Sequence, residues 1–431
     1  MTGLQTLAAR LALGVVAGTA GVVLSSLGSI HRPDKAAFRR MATGAFLLTR
    51  FGGFVLVFLL FRVAPRGDVP TYYFSEASAV LRGLLPYRDF GSSYAPFHPF
   101  LDGGLLFLWH SPLALILFAI SVEWLLFFLW LRLGGEMFPE RDLRIAAVLY
   151  LASALSLQFV AIDGQDNVLI ALLVLLAVWT ATRSRPILSG ALTGVGVVAV
   201  KLIPIFFAPV FFAGVKRRWG WAAGFAAVVA AGYGSFAALR LPILQPLAIE
   251  GPLKSSGTVP FLIETLTGLN LPVGLWDIGM VLGLGLVYLA VLRRSSGGGS
   301  PSSAIAVVWG VSAATLVMLT FANKSWSPYL LLCLFPLCVA VAGRGLGARV
   351  AFAAFGIVAL VEKSYWATLL ELDGAPEVRA GVLRHDPKYI AFLPIQVLLL
   401  LGYVWLLKLC VERLRTFGNV QNDRGFRERT G

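Results

Sequence analysis

Four short stretches of an otherwise oily chain carry side chains able to move protons or hold anions. The first, "RGDVPTYYFSEASAVLRGLLPYRDFGSSYAPFHP", brings Asp68, Glu76, Arg88 and Asp89 together with Tyr94 and His98. The second, "IDGQDNVLI", supplies Gln165 and Asn167. Lys201 stands alone in "VVAVKLIPI", and "FANKSWSPYLLLCLFP" adds Lys324, Trp326 and Ser327. Carboxylates, lysines, amides and aromatics suit a sugar carried on a lipid phosphate. The cations would neutralise phosphate, the amides and rings would hold sugar or acceptor, and a carboxylate would act as base.

The rest of the chain sets where such chemistry would happen. Of 431 residues, 58% are hydrophobic and only 13% charged. A soluble domain carries roughly a quarter charged residues, so this composition belongs in a bilayer. The net charge of +14 does not point to nucleic acid. Its clusters ("HRPDKAAFRR", "RSRP", "KRRW", the arginines at 293 and 294, the tail) flank apolar runs, as basic cytoplasmic loops do. The three cysteines, Cys333, Cys338 and Cys410, read as small hydrophobes, and the four scattered histidines make no zinc motif. No motif calls for a cofactor, and a divalent metal is left open.

A hydrocarbon core of ~30 Å takes ~20 apolar residues per helix. Candidate spans are 11–30, 43–63, 112–133, 145–162, 167–182, 219–239, 274–292, 304–322, 329–343, 350–366 and 390–410. The first could be a signal-peptide core, but with no cleavage site before the next apolar run it is expected to be retained. Placing 31–42 inside collects most basic loops there too: 134–144, 183–186, 216–218, 293–303, 344–349 and the tail. The purposeful polar segments, 64–96, 161–166, 240–273, 323–328 and 367–389, then share the outer face.

Two segments break the simple pattern. "FHPFLDGGLLFLW" is too short to cross and reads as a half-helix. The stretch 188–215 has basic clusters at both ends, so it should enter and return, turning near Lys201 to Pro204. Lys201 would then lie in the outer half of the membrane and need an anionic partner. The alternative is one long helix with a snorkelling Lys201.

Residues 69, 73, 77, 80, 81 and 84 are apolar at helical spacing, with Ser75, Glu76, Ser78 and Arg82 opposite. That predicts an amphipathic helix lying on the surface. Asp68 at its start is read as an N-cap and as a working carboxylate, two compatible readings since capping fixes an aspartate in place. Asp89 in "YRDF" is either a second carboxylate or a turn residue paired with Arg88.

In order and spacing, "GD...YY....AVLRGLLPYRDF..SYAPFHP", "GQDN", "GALTGVGVVAVKLIP" and "NKSWSPYLLLCLFPL" resemble the motifs of GT-C membrane glycosyltransferases, most nearly the polyprenyl-phosphate-mannose-dependent family 87. The resemblance implies an all-α polytopic fold of about 11–13 transmembrane or re-entrant helices, with the outer-face amphipathic helix after the second span. It implies that Asp68 is the catalytic base. Gln165, Asn167, Lys201 and Lys324 match positions near the donor. Arg88 is grouped with the lysines for the phosphate, and Glu76 and Asp89 remain as second carboxylates. Tyr94, His98, Trp326 and Ser327 are grouped with Gln165 and Asn167 for sugar or acceptor. "GQDN" departs from the family by carrying an acid where an apolar residue is common.

The organisation expected is an extra helix and basic loop (1–42), a catalytic membrane module (43–292), a flexible linker (293–303), C-terminal helices (304–411) and a basic tail (412–431). The expected activity is inverting transfer of a hexose, in particular mannose, from a polyprenyl-phosphate donor to a lipid-linked or glycan acceptor. Its setting would be the outer face of a bacterial plasma membrane, among membrane lipids and without nucleic acid. The alternatives are an O-antigen-type ligase or polymerase and a lipid-linked glycan transporter. A transporter would spread charge between the leaflets, whereas here it gathers on one face.

Overall fold

The structure, a computed structural model, describes residues 3–295 and 301–427, and among these it is helical with no strand. Seven helices are long and apolar enough to cross a membrane: Gly3–Ser26, Lys35–Leu60, Pro112–Glu136, Arg218–Ala238, Val273–Ser295, Ser303–Phe321 and Pro387–Thr416. Ser303–Phe321 is buried almost all round and forms the centre of the bundle. Val273–Ser295 exposes most of its apolar surface, as a lipid-facing helix does. The helices that end in Ser295 and begin at Pro301 run into the expected linker, whose residues 296–300 lie outside the described residues. The expected tail is helical as far as Arg427, and residues 428–431 also lie outside them.

The basic loops converge at one end of the bundle. Arg144 reaches the carbonyls of Ile30 and Pro33, Arg349 that of Ser25, and Arg183 pairs with Glu136. Arg344 pairs with Glu412. At the opposite end, Arg66 meets Thr6, Arg10 meets Asp163 and Ser364, and Ser255 bonds to Asn323 and Ser325. The two sets of loops sorted by charge in the sequence therefore occupy opposite ends. The loops at this second end are themselves folded: Gln245–Glu250, Val259–Thr267 and Ala375–Leu383 are helices, and Phe261, Trp366, Val378 and Phe392 form a small second core there.

The stretch containing Lys201 does enter and return. Gly190 abuts Trp221, Gly194 abuts Val228 and Val198 abuts Gly232, so Pro186–Ala199 and Arg218–Ala238 run parallel in close contact. Two helices joined by some twenty residues can be parallel only if the link carries the chain back. Ile203–Phe207 and Ala208–Gly214 do so, with Val210 level with Gly310 and Gly214 level with Val307 on an antiparallel neighbour. Small residues permit the backbones to approach: a Cβ at Gly190 or Gly224 would collide with a carbonyl of the partner helix.

The expected span 145–162 is instead two helices, Glu140–Leu151 and Ala154–Phe159. The buried Arg50 explains how the break is tolerated. Its Nη1 donates to Leu151 O at 2.7 Å, and its Nη2 donates to Tyr150 O at 3.3 Å and Ser156 Oγ at 2.6 Å. Glu123, equally buried, accepts from the Tyr150 and Ser156 hydroxyls. Carbonyls freed inside apolar surroundings need such donors. The span 329–343 is likewise divided, into Ser327–Leu332 and Leu334–Ala342.

Candidate active site

Asp68 opens the segment Val69–Tyr73, which continues into Phe74–Leu81 and stops before Gly83, at φ +84°. The N-cap reading of Asp68 fails, for its side chain makes no capping bond. Pro70 lacks one of the two N–H groups that a cap could use. The carboxylate turns instead to Gln165, whose Nε2 donates to Asp68 Oδ2 at 2.8 Å. Gly164, at φ +63°, makes this meeting feasible: a Cβ there would crowd Val69 and Ile116.

Behind Gln165 a row of donors leads away from Asp68. Asn167 Nδ2 donates to Gln165 Oε1 at 3.4 Å, and Lys201 Nζ donates to Asn167 Oδ1 at 3.5 Å. Every link points its hydrogen toward the carboxylate, so the row polarises in one direction. Asn167 thus links Gln165 to Lys201.

The anionic partner required by Lys201 is Asp166, at 2.6 Å. Asp166 Oδ1 also accepts from the Tyr73 hydroxyl at 3.1 Å, and His98 Nε2 lies 3.0 Å from its Oδ2. On the other side of the imidazole, Nδ1 is 3.6 Å from Asp102 Oδ2. Tyr94 stacks on His98 with centroids 4.5 Å apart, and Lys201 Nζ stands 5.4 Å from the Tyr94 ring. His98 and Tyr94, expected at the sugar, are thus packed around the Asp166 ion pair.

A further cluster comes from residues 323–329 and the end of Leu346–Thr368. Lys324 pairs with Glu250, and its Nζ lies 5.7 Å from the Trp326 ring. Lys363 places its Nζ 3.0 Å from the same ring, which leans on Trp366 at 5.2 Å. Ser364, beside Lys363, accepts from Arg10, which also pairs with Asp163 in the hairpin that carries Gln165. Ser327 is buried with an unpartnered hydroxyl.

The remaining candidates lie apart. Glu76, expected on the polar face of its helix, is buried, with Ser92 Oγ donating to it at 2.7 Å. The returning loop covers that face, and burial pushes the Glu76 carboxyl up to about 7 although the Ser92 hydrogen bond opposes this. Val69, Tyr73 and Ala77 face inward as expected, while Leu81 and Leu84 are exposed. Asp89 takes both Arg88 and the Leu85 N–H, at 2.8 Å each, in an exposed turn. These two residues make none of the contacts of the site; they fit the turn reading. The Arg88 hydrogen bond holds the Asp89 carboxyl below its ordinary value.

Residues passed over in sequence are central here. Asp166 is visible there only as the acid that interrupts the "GQDN" pattern, and nothing in "VEKSYW" marks Lys363. Among the described residues, no three His, Cys, Asp or Glu side chains gather in a way that could hold a metal ion.

The site joins a carboxylate, a row of amides and several lysines within one helical membrane bundle. Residues 92–246 match the model of glycosyltransferase family 87, a segment that contains His98, Gln165, Asp166, Asn167 and Lys201 and lies between Asp68 and Lys324 in sequence. No curated protein and no solved structure matches the chain.

Proposed function

We propose that the protein transfers a hexose, in particular mannose, from a polyprenyl-phosphate donor to a hydroxyl of a lipid-linked or glycan acceptor, at the outer face of the membrane. The observation that carries this reading is Asp68, freed from capping and oriented by Gln165, at the end of a hydrogen-bond row that leads back to Lys201. In the step we propose, the acceptor hydroxyl gives its proton to the Asp68 carboxylate while its oxygen attacks the anomeric carbon. The bond from that carbon to the phosphate oxygen breaks, and its electron pair leaves with polyprenyl phosphate. Attack opposite the leaving group inverts the configuration. The phosphodiester monoanion becomes a phosphomonoester dianion, so cations at the site favour the transition state over the ground state.

The test is to incubate purified protein in nanodiscs with a panel of polyprenyl-phosphate sugars and candidate acceptors, reading sugar transfer and released polyprenyl phosphate. Transfer from one of these donors, dependent on Asp68, is the expected result. Transfer only from a soluble nucleotide sugar would reject the donor class.

A further inference from the structure

We infer that Lys363, resting on Trp326, is the residue that grips the phosphate of the donor, and that Lys201 is the structural cation of the site. This rests on the polyprenyl-phosphate reading above. The cations differ in what they already hold. Lys201 lies 2.6 Å from Asp166 and makes further contacts to Tyr73 and Asn167, so its charge is largely cancelled locally. Lys324 is paired with Glu250. Lys363 forms no ion pair among the described residues; its neighbouring Glu362 is buried, close against Gly257. The ammonium rests instead on the Trp326 face at 3.0 Å, with the Trp366 ring centroid 5.6 Å from it. An aromatic face attracts a cation but does not neutralise it, so the field of Lys363 remains available to an arriving anion.

Its position suits the reaction. Ser364, the next residue in the helix, and Asp163 both accept from Arg10, and Asp163 is two residues before the Gln165 that holds Asp68, so the end of the helix carrying Lys363 meets the hairpin that orients the proposed base. When the bond to the anomeric carbon breaks, the added negative charge appears on the phosphate. An unpaired cation meets that charge in full, whereas the Lys201–Asp166 pair presents little net charge.

The probe is farnesyl phosphate, titrated against the full-length protein in neutral-lipid nanodiscs, with farnesol as the uncharged control. Lys363→Gln should weaken farnesyl phosphate binding by about 10- to 100-fold, the range for a lost charge-assisted contact, and leave farnesol binding unchanged. Lys363→Arg should stay within about 3-fold of the parent, by keeping the charge. If Lys363→Gln does not fold, Lys363→Met, which retains the aliphatic stem on Trp326, replaces it. The double variant Lys201→Gln/Asp166→Asn should bind farnesyl phosphate within about 3-fold of the parent, since it removes a neutral pair. Unchanged binding in the Lys363 variants, or a loss confined to the Lys201 double variant, would overturn the assignment while leaving the donor class intact. If the parent protein binds no farnesyl phosphate and releases no lipid phosphate from sugar donors, the function reading fails and takes this inference with it.

Discussion

Gln165 Nε2 donates to Asp68 Oδ2 at 2.8 Å, joining a hairpin between two helices to the start of a helical segment 97 positions earlier. The relay through Asn167 to Lys201 supports the amide from behind. A carboxylate held in this way keeps one oxygen fixed and presents the other, as a general base must.

Asp68→Asn retains the shape of the side chain but removes the base. Turnover should fall by about 10²- to 10⁴-fold with farnesyl phosphate affinity unchanged, measured by sugar transfer alongside ligand titration. Gln165→Ala should lower kcat by about 10-fold with a smaller effect on KM, because it loosens a residue that acts through Asp68. Full activity in the Asp68 variant would transfer the role of base to another carboxylate.

Lys201 and Asp166 are both almost buried, with side-chain exposures of 12% and 13%. Removing either partner alone leaves an uncompensated charge, a loss of about 3–5 kcal/mol. Melting of Lys201→Gln in detergent should therefore drop sharply, and adding Asp166→Asn should recover most of the loss. Additive losses would show that the two groups are stabilised independently.

Glu76 gives the fold a pH dependence. Its folded carboxyl titrates at about 7, above the ordinary 4.5, so between these values the native protein binds a proton that the unfolded chain has released. This contribution is complete below pH 4.5 and is lost as pH rises through 7, by up to about 3 kcal/mol. The melting temperature should decline from pH 5 to pH 8, and Glu76→Gln should flatten that slope. An unchanged slope would remove Glu76 as its source.

Asp89→Asn serves as the contrast to Asp68→Asn. The Arg88 pair and the Leu85 contact lie in an exposed turn, so transfer should stay within about 3-fold of the parent while the turn becomes more sensitive to protease. A loss of turnover matching that of Asp68→Asn would return Asp89 to the chemistry.

Composition by itself determined that the chain is a helical membrane protein, because continuous apolar runs of about 20 residues cross a bilayer as helices that satisfy their own backbone groups. Basic clusters sorted the loops into two ends, and the charges flanking 188–215 required the chain to enter and return. These features follow from local composition and from the cost of placing charge in hydrocarbon. Other features depended on contacts between distant residues. The break at Ala152 is invisible in an apolar run, since Arg50, 101 positions before Leu151, supplies the missing donor. Glu76 reads as polar surface until the returning loop brings Ser92 over it. Asp68 reads as a cap until Gly164 lets Gln165 reach it. The lysines look interchangeable in sequence; their partners distinguish them, with Asp166 and Glu250 on two and an indole face under the third. A side chain's chemical type is written in the sequence, but its free charge depends on what the fold places within a few ångströms.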